Sequence, residues 1–358
     1  MIWMWTGFIL LILSMLALDL GVFHRKAHVV SMKEALGWSA LWIFMGLSFS
    51  IFIYFAYDNH WAGLGSRVDV IDGIMNDGHT AAIKYLTGYV IEKSLSVDNI
   101  FVIAVIFSYF TVPPMYQHRV LFWGILGALV LRGLMIGVGA RLIEEFHWII
   151  YVFGVFLIYT GFKMFSFDPE ESDPTQNPVV RFTRRFMPVT TQFHGEHFLV
   201  RAGSTASHES AVPGAPVIED PAVEHVKPGT LMFTPLALAL IVVETTDIIF
   251  AVDSIPAIFA ITADPFIVFT SNVFAILGLR SLYFALAGLI GKFRYLDTAL
   301  ALVLILVGVK MLTAKWLKQM LGENFNFMLL GAVLLILTTG VVASLIADRR
   351  EQNEKPSE

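Results

Sequence analysis

Apolar runs of roughly 20 residues, separated by short polar turns, recur along almost the whole chain. A run of that length crosses the hydrocarbon of a bilayer as a helix. The pattern predicts nine such helices, over about 2–23, 36–57, 82–109, 119–140, 148–165, 231–259, 265–288, 297–313 and 326–347. The fold class predicted is an all-α polytopic membrane protein. One long interruption, 166–230, is rich in Pro, Ser, Thr, Glu and His and is too polar to span. Within it Phe193–Val200 reads as a short strand and Ser204–Lys227 as a flexible linker. A second polar stretch, Asp58–Thr80, carries Asp58, Asp69, Asp72 and Asp77. It reads as a solvated loop first and as a collector of cations at an entrance second.

The chain also matches itself. Asp98-Asn99-Ile100-Phe101 resembles Asp247-Ile248-Ile249-Phe250 at an offset of 149, and Arg132 matches Arg280 at 148. Gly161-Phe162-Lys163-Met164 matches Gly308-Val309-Lys310-Met311 at 147. The repeating unit is three helices, and an odd unit enters the membrane in the opposite sense the second time. Inverted repeats with polar helices meeting near the midplane are a transporter signature. The organisation expected is two N-terminal helices and an acidic outer loop (1–81), a first repeat (82–165) and a polar cytoplasmic loop (166–230). A second repeat (231–313), a final helix (314–347) and a cytoplasmic tail (348–358) follow.

Composition agrees with a membrane class: 56% of residues are hydrophobic and 15% charged, where soluble domains carry about 25% charged. The net charge of −5 says little about partners when most of the surface meets lipid, and nothing suggests nucleic acid. Cys is absent, which excludes disulfides, thiolate metal sites and Cys nucleophiles. The first span has no Lys or Arg before it and Arg25-Lys26 after it, so it reads as a retained helix with its N-terminus outside. That orientation places fifteen Lys and Arg in inner segments and five in outer ones, and puts the C-terminus in the cytoplasm.

Against this apolar background the charges stand out. Asp19, Glu92, Asp98, Glu244, Asp247 and Asp253 fall inside predicted helices, with Lys93, Arg132 and Arg280 as bases. Each carboxylate there costs about 2.5–3.5 kcal/mol on insertion scales. The formal sum is 3 − 6 = −3, so part of the acid must be protonated, hydrated or bound to a cation. At helical spacing Glu92, Ser96 and Asn99 share one face, and Glu244 and Asp247 share another; Asp98 and Asp253 point away from those faces. Pro256 favours a break near Asp253, which would free carbonyl oxygens. Carboxylate, amide and hydroxyl oxygens suit Mn²⁺, Mg²⁺ or Ca²⁺ better than thiophilic ions. Arg132 and Arg280 read as counter-ions for Asp98 and Asp247. Lys93 either snorkels or pairs with Glu92, and Asp19 either joins the site or pairs with Arg25. The competing reading of all these charges is a buried structural salt-bridge network.

Glu92-Lys93-Ser94-Leu95-Ser96-Val97-Asp98-Asn99 and Glu244-Thr245-Thr246-Asp247 through Phe250-Ala251-Val252-Asp253-Ser254-Ile255-Pro256-Ala257 resemble motifs of the TerC/Alx family of bacterial integral membrane proteins. Leu18-Asp19-Leu20-Gly21-Val22-Phe23-His24-Arg25 and Leu279-Arg280-Ser281-Leu282 look like family segments too. The likeness extends from Trp5 to about Ala347; Ser204–Lys227 departs from it, being longer than the usual loop. The resemblance implies a LysE-type transporter in the bacterial inner membrane, and it favours manganese and the export direction. The expectation is a divalent-cation exporter, chiefly for Mn²⁺. Its site would comprise Glu92, Asp98, Asn99, Glu244, Asp247 and Asp253, assisted by Asp19, Thr246 and Ser96. Proton exchange fits carboxylates that lose their metal in a low-dielectric site. No catalytic residue, enzyme activity or bound cofactor is assigned, and the oligomeric state stays open. The alternative is a membrane scaffold or assembly factor linked to tellurium or stress resistance, with the polar loop as docking surface.

Overall fold

The computed structural model describes residues 2–18, 31–165, 181–183, 185, 187–204, 220–286, 295–321 and 325–354. Helices α1 (Ile2–Leu18), α2 (Met32–Asp58), α3 (Gly78–Tyr109), α4 (Pro114–Glu145) and α5 (Ile149–Met164) form the first half. A small polar unit follows, made of β1 (Leu199–Arg201), the one-turn α6 (Pro221–Glu224) and β2 (Leu231–Phe233). Then come α7 (Pro235–Phe259), α8 (Pro265–Leu277), α9 (Leu279–Leu286), α10 (Leu296–Leu321) and α11 (Phe325–Glu354). Six helical segments are long and apolar enough to cross a membrane, and α1 and α5 are shorter apolar helices. At 32 residues α3 has the length, but it carries Lys84, Glu92, Lys93 and Asp98. It runs through the middle of the bundle, where neighbouring helices cover its polar face.

Several helix starts have a local cause. Asp77 caps α3 by accepting from Thr80 N at 2.7 Å. Thr234-Pro235 and Asp264-Pro265 place an oxygen acceptor at the N-cap and a proline at the first helical position. That cap corrects the expected span at 231: residues 231–233 pair antiparallel with 199–201 as β2, and α7 begins only at Pro235. The expected break at Pro256 is also corrected, since α7 continues through it to Phe259. The break lies at Gly278 instead, dividing the span expected at 265–288 into α8 and α9. A Cβ on Gly278 would come within 2.9 Å of both Lys93 Nζ and Trp42 Cβ, so the crossing requires glycine. The split span and α6 raise the described helices from nine to eleven. α11 stays helical to Glu354, beyond the expected tail boundary; 355–358, 19–30 and 205–219 lie outside the described residues.

Packing reveals the repeat. With an offset of 147, the mates of Gly154 and Gly161 are Ala301 and Gly308. A Cβ on Gly154 would lie 3.2 Å from Gly308 O, and one on Gly161 would lie 2.8 Å from Ala301 O. Each contact is the image of the other, as in an isologous interface, and the rising number on α5 meets the falling number on α10. The two mates therefore cross antiparallel. Between the other helices the direction is shared: on α4 and α7 Gly124 meets Val243 and Gly139 meets Phe259, and on α3 and α8 Gly88 meets Ser271 and Lys93 reaches Ala275. First helix against second helix, in both repeats and in the same sense, is what inversion requires. On the flank, α1 and α2 cover α8, with Phe8 and Phe49 against Phe274.

The acidic loop is not the solvated segment its composition suggests. Asp69 is 5% exposed and Lys84 is fully buried. Lys84 Nζ lies 2.9 Å from Asp69, 2.8 Å from Asp72 and 2.7 Å from Asn76 Oδ1. An ammonium arriving from α3 supplies the charge that composition could not place beside the loop.

Candidate functional site

Four helices, α3, α4, α7 and α8, meet at one guanidinium. Arg132 on α4 donates from Nη2 to Asp247 Oδ1 at 2.9 Å and from Nε to Oδ2 at 3.2 Å, a two-pronged pairing. Its Nη1 reaches Glu92 of α3, and contacts Ser254 Oγ of α7 at 3.3 Å and Asn272 Oδ1 of α8 at 3.4 Å. Arg132 and Glu92 are almost wholly buried. With formal charges the trio sums to 1 − 2 = −1. Arg132 therefore holds the two repeats together at their first and second helices, and it leaves an acid excess at the crossing.

The polar face expected on α3 is real and incompletely satisfied. Glu92 Oε2, Ser96 Oγ and Asn99 Oδ1 are buried and, among the described residues, make no hydrogen bond. They recur at i, i+4 and i+7, one above the other. Glu244 Oε2 on α7 has no partner either. A Cβ on Gly127 would overlap the Glu244 carboxylate, so α4 carries glycine where that side chain passes. Of these residues Asn99 borders a cavity of about 30 Å³, together with Thr246 and Asp247, walled by Ile103, Leu121 and Phe250. That is room for a water or a dehydrated ion. A buried acceptor left unpaired costs about 1–3 kcal/mol. Water or a cation in the cavity would relieve it at Asn99.

Other expected members lie elsewhere. Asp253 turns toward α5, its Oδ1 3.4 Å from Thr160 Oγ1, and away from the Arg132 crossing. Lys93 does not pair with Glu92; its Nζ donates to Ala275 O at 3.0 Å, near the break at Gly278. Asp247 takes Arg132 as its counter-ion rather than Arg280, whose Nη1 lies 3.0 Å from His118 Nε2. Asp19 and the side chain of Asp98 lie outside the described residues. Among the described residues no three Asp, Glu, His or Cys side chains converge as a metal-holding group. Asn272 and Ser254 escaped the sequence reading. Each is a single polar side chain in an apolar run, a signal that points at a helix face without naming its partner.

A family profile described as "Integral membrane protein TerC family" matches residues 77–352. The chain is 47% identical over 346 residues to an uncharacterized membrane protein of Myxococcus xanthus, covering 97% of this chain and 93% of that one. It is 45% identical to the Salmonella typhi protein named "Putative membrane-bound redox modulator Alx", and 44% identical to the Escherichia coli K12 protein of the same name. Both alignments span 310 residues, 86% of this chain and 85% of the relative. No solved structure matches.

Proposed function

The chain belongs to the TerC family of integral membrane proteins, and from that premise we propose that it exports a hard divalent cation, Mn²⁺ foremost. The observation that carries this reading is the row of unpartnered oxygens on α3, Glu92 Oε2, Ser96 Oγ and Asn99 Oδ1, which ends at Asn99 in the wall of the cavity shared with Asp247 and Thr246. These are hard donors, of the kind that suits Mn²⁺. Glu244 adds a further carboxylate on the neighbouring helix. The inverted pairing of the repeats supplies the two halves that rock in alternating access. Release of the cation leaves carboxylates in a low-dielectric site, which favours proton uptake in exchange. The bacterial inner membrane is the membrane this reading assigns.

The name of the Alx relatives speaks of redox. This chain has no Cys, so dithiol exchange has no sulfur to use here. Export of a redox-active metal would change cellular redox balance without one. The test is Mn²⁺ loading of cells followed by efflux. Wild type should lower cellular Mn²⁺, and Asp247→Asn should lose most of that activity while remaining in the membrane. Efflux equal to wild type from a well-expressed Asp247→Asn would sink the site assignment.

A further inference from the structure

Along α3 and α4 the cavity, the Arg132 crossing and the acidic loop come in a fixed order. Asn99 and Ile103 border the cavity near the Tyr109 end of α3, and Leu121 and Ala128 border it near the start of α4. Arg132 and Glu92 come next. Lys84 lies 92 − 84 = 8 residues beyond Glu92, about 12 Å along the axis. The cavity therefore sits on the β1–β2 side of the crossing, with Arg132 and then the Lys84 level of α3 between it and the acidic loop.

The loop is fastened across that side. Asp69 is bound by Lys84 of α3, by the Thr262 hydroxyl, and by Ala263 N at 3.1 Å in the turn joining α7 to α8. Asp72 is bound by Lys84 and accepts from Asn326 Nδ2 of α11 at 3.2 Å. Lys310 of α10 donates to Ala260 O at the end of α7. At Gly65, φ is +70°, and a Cβ would overlap Asn76 O, which folds the loop onto the cage. So the first helix of one repeat is fastened, through two aspartates, to the ends of the other repeat and to the last helix. A buried ionic cluster of this kind adds little stability over an apolar packing, but it fits one arrangement and fails when one partner leaves. That behaviour selects a state.

We propose that Lys84, Asp69 and Asp72 form the gate that closes the translocation path on the acidic-loop side, opening when the two repeats rock apart. The purpose of the gate rests on the transport reading above, but its closure can be tested without transport. The chain has no Cys, so Ala128→Cys gives a single thiol on the cavity wall. In metal-free oriented vesicles, a small membrane-impermeant methanethiosulfonate is added on the acidic-loop side. Labelling of Ala128→Cys should be slow and should rise several-fold with Lys84→Met. Because Lys84→Met strands two buried carboxylates, the decisive variant adds Asp69→Asn and Asp72→Asn, which removes all three charges of the Lys84–Asp69–Asp72 cluster and leaves Lys310 in place. Unchanged labelling in that folded variant overturns the gate. A second measurement replaces the Asp72–Asn326 contact with a covalent one: Asp72→Cys with Asn326→Cys, bridged by a short reducible cross-linker, should arrest Mn²⁺ efflux until reductant is added. Undiminished efflux across the bridge also overturns it. Absence of efflux from the wild-type chain would count against the transport reading alone, leaving the labelling result to judge the gate.

Discussion

Arg132 is the residue on which the crossing depends. Its fork answers two carboxylates from different repeats, so its removal strands both in the interior. Breaking a buried pair this way costs about 3–5 kcal/mol. Arg132→Met should lower the thermal unfolding temperature of the detergent-solubilised protein markedly. Arg132→Lys should recover only part, since an ammonium cannot reproduce the two-pronged contact. Arg132→Met unfolding like wild type would show that the carboxylates do not depend on it. The acids themselves were legible in the sequence, because charge in an apolar run has few cheap explanations. Their pairing was not. Helical spacing fixed that Glu92, Ser96 and Asn99 share a face and that Asp253 points elsewhere, but which arginine faces which acid is set by how the repeats cross. Lys84 and Asp69 were missed for a related reason: a loop rich in Asp looks solvated until a lysine from a helix is placed inside it.

The elements followed the hydrophobic pattern closely, and their departures have local causes. Apolar runs located every long helix. The start of α7 shifted because Thr234-Pro235 is a capping pair and the residues before it find a strand partner in β1. The divided span at Gly278 could not be read from hydropathy, which α8 and α9 continue unbroken. Contact between α5 and α10 depends on glycine. A Cβ at Gly161 would meet Ala301 O at 2.8 Å and Ile305 Cγ1 at 2.6 Å, and backbone cannot yield as a side-chain tip can. Gly161→Leu should therefore cost about 1–3 kcal/mol or more through overpacking, read as a lower unfolding temperature. Gly331→Leu, where nothing lies within 4 Å, should change it little. In the polar unit Asp220 organises the chain. It accepts from Thr191 Oγ1 at 2.6 Å, Gln192 N at 3.0 Å and Ala222 N at 2.9 Å, with His194 Nε2 at 3.2 Å. Burial pushes its carboxyl up, but these donors outweigh burial and hold it below the usual carboxylate range. A depressed value in the folded state means the stabilisation is complete above the ordinary Asp pKa and is lost as pH falls through the lower folded one. The unit should thus resist proteolysis at neutral and mildly acidic pH, and Asp220→Ala should be cut faster across that whole range. Equal cutting of Asp220→Ala and wild type would remove Asp220 from this role.

At the scale of the molecule, the mirrored glycine contacts on α5 and α10 carry a consequence for topology. If α3, α4 and α5 each cross once, the acidic loop before α3 and the polar unit after α5 must face opposite sides, and the α4–α5 turn must face the same side as the acidic loop. This oddness inverts the second repeat, and it lets Arg132 of α4 lie against Asp247 of α7, because those two helices then run in the same direction. From the excess of Lys and Arg in segments on the polar-unit side we propose that this side faces the cytoplasm. A chain without Cys makes the prediction direct to check. Ser66→Cys and His147→Cys should react with an impermeant maleimide on intact cells, and Glu224→Cys only after permeabilisation. Labelling of Glu224→Cys together with Ser66→Cys on intact cells would require an even number of crossings between them. The repeats would then enter the membrane in the same sense, and the antiparallel crossing of α5 with α10 could not arise.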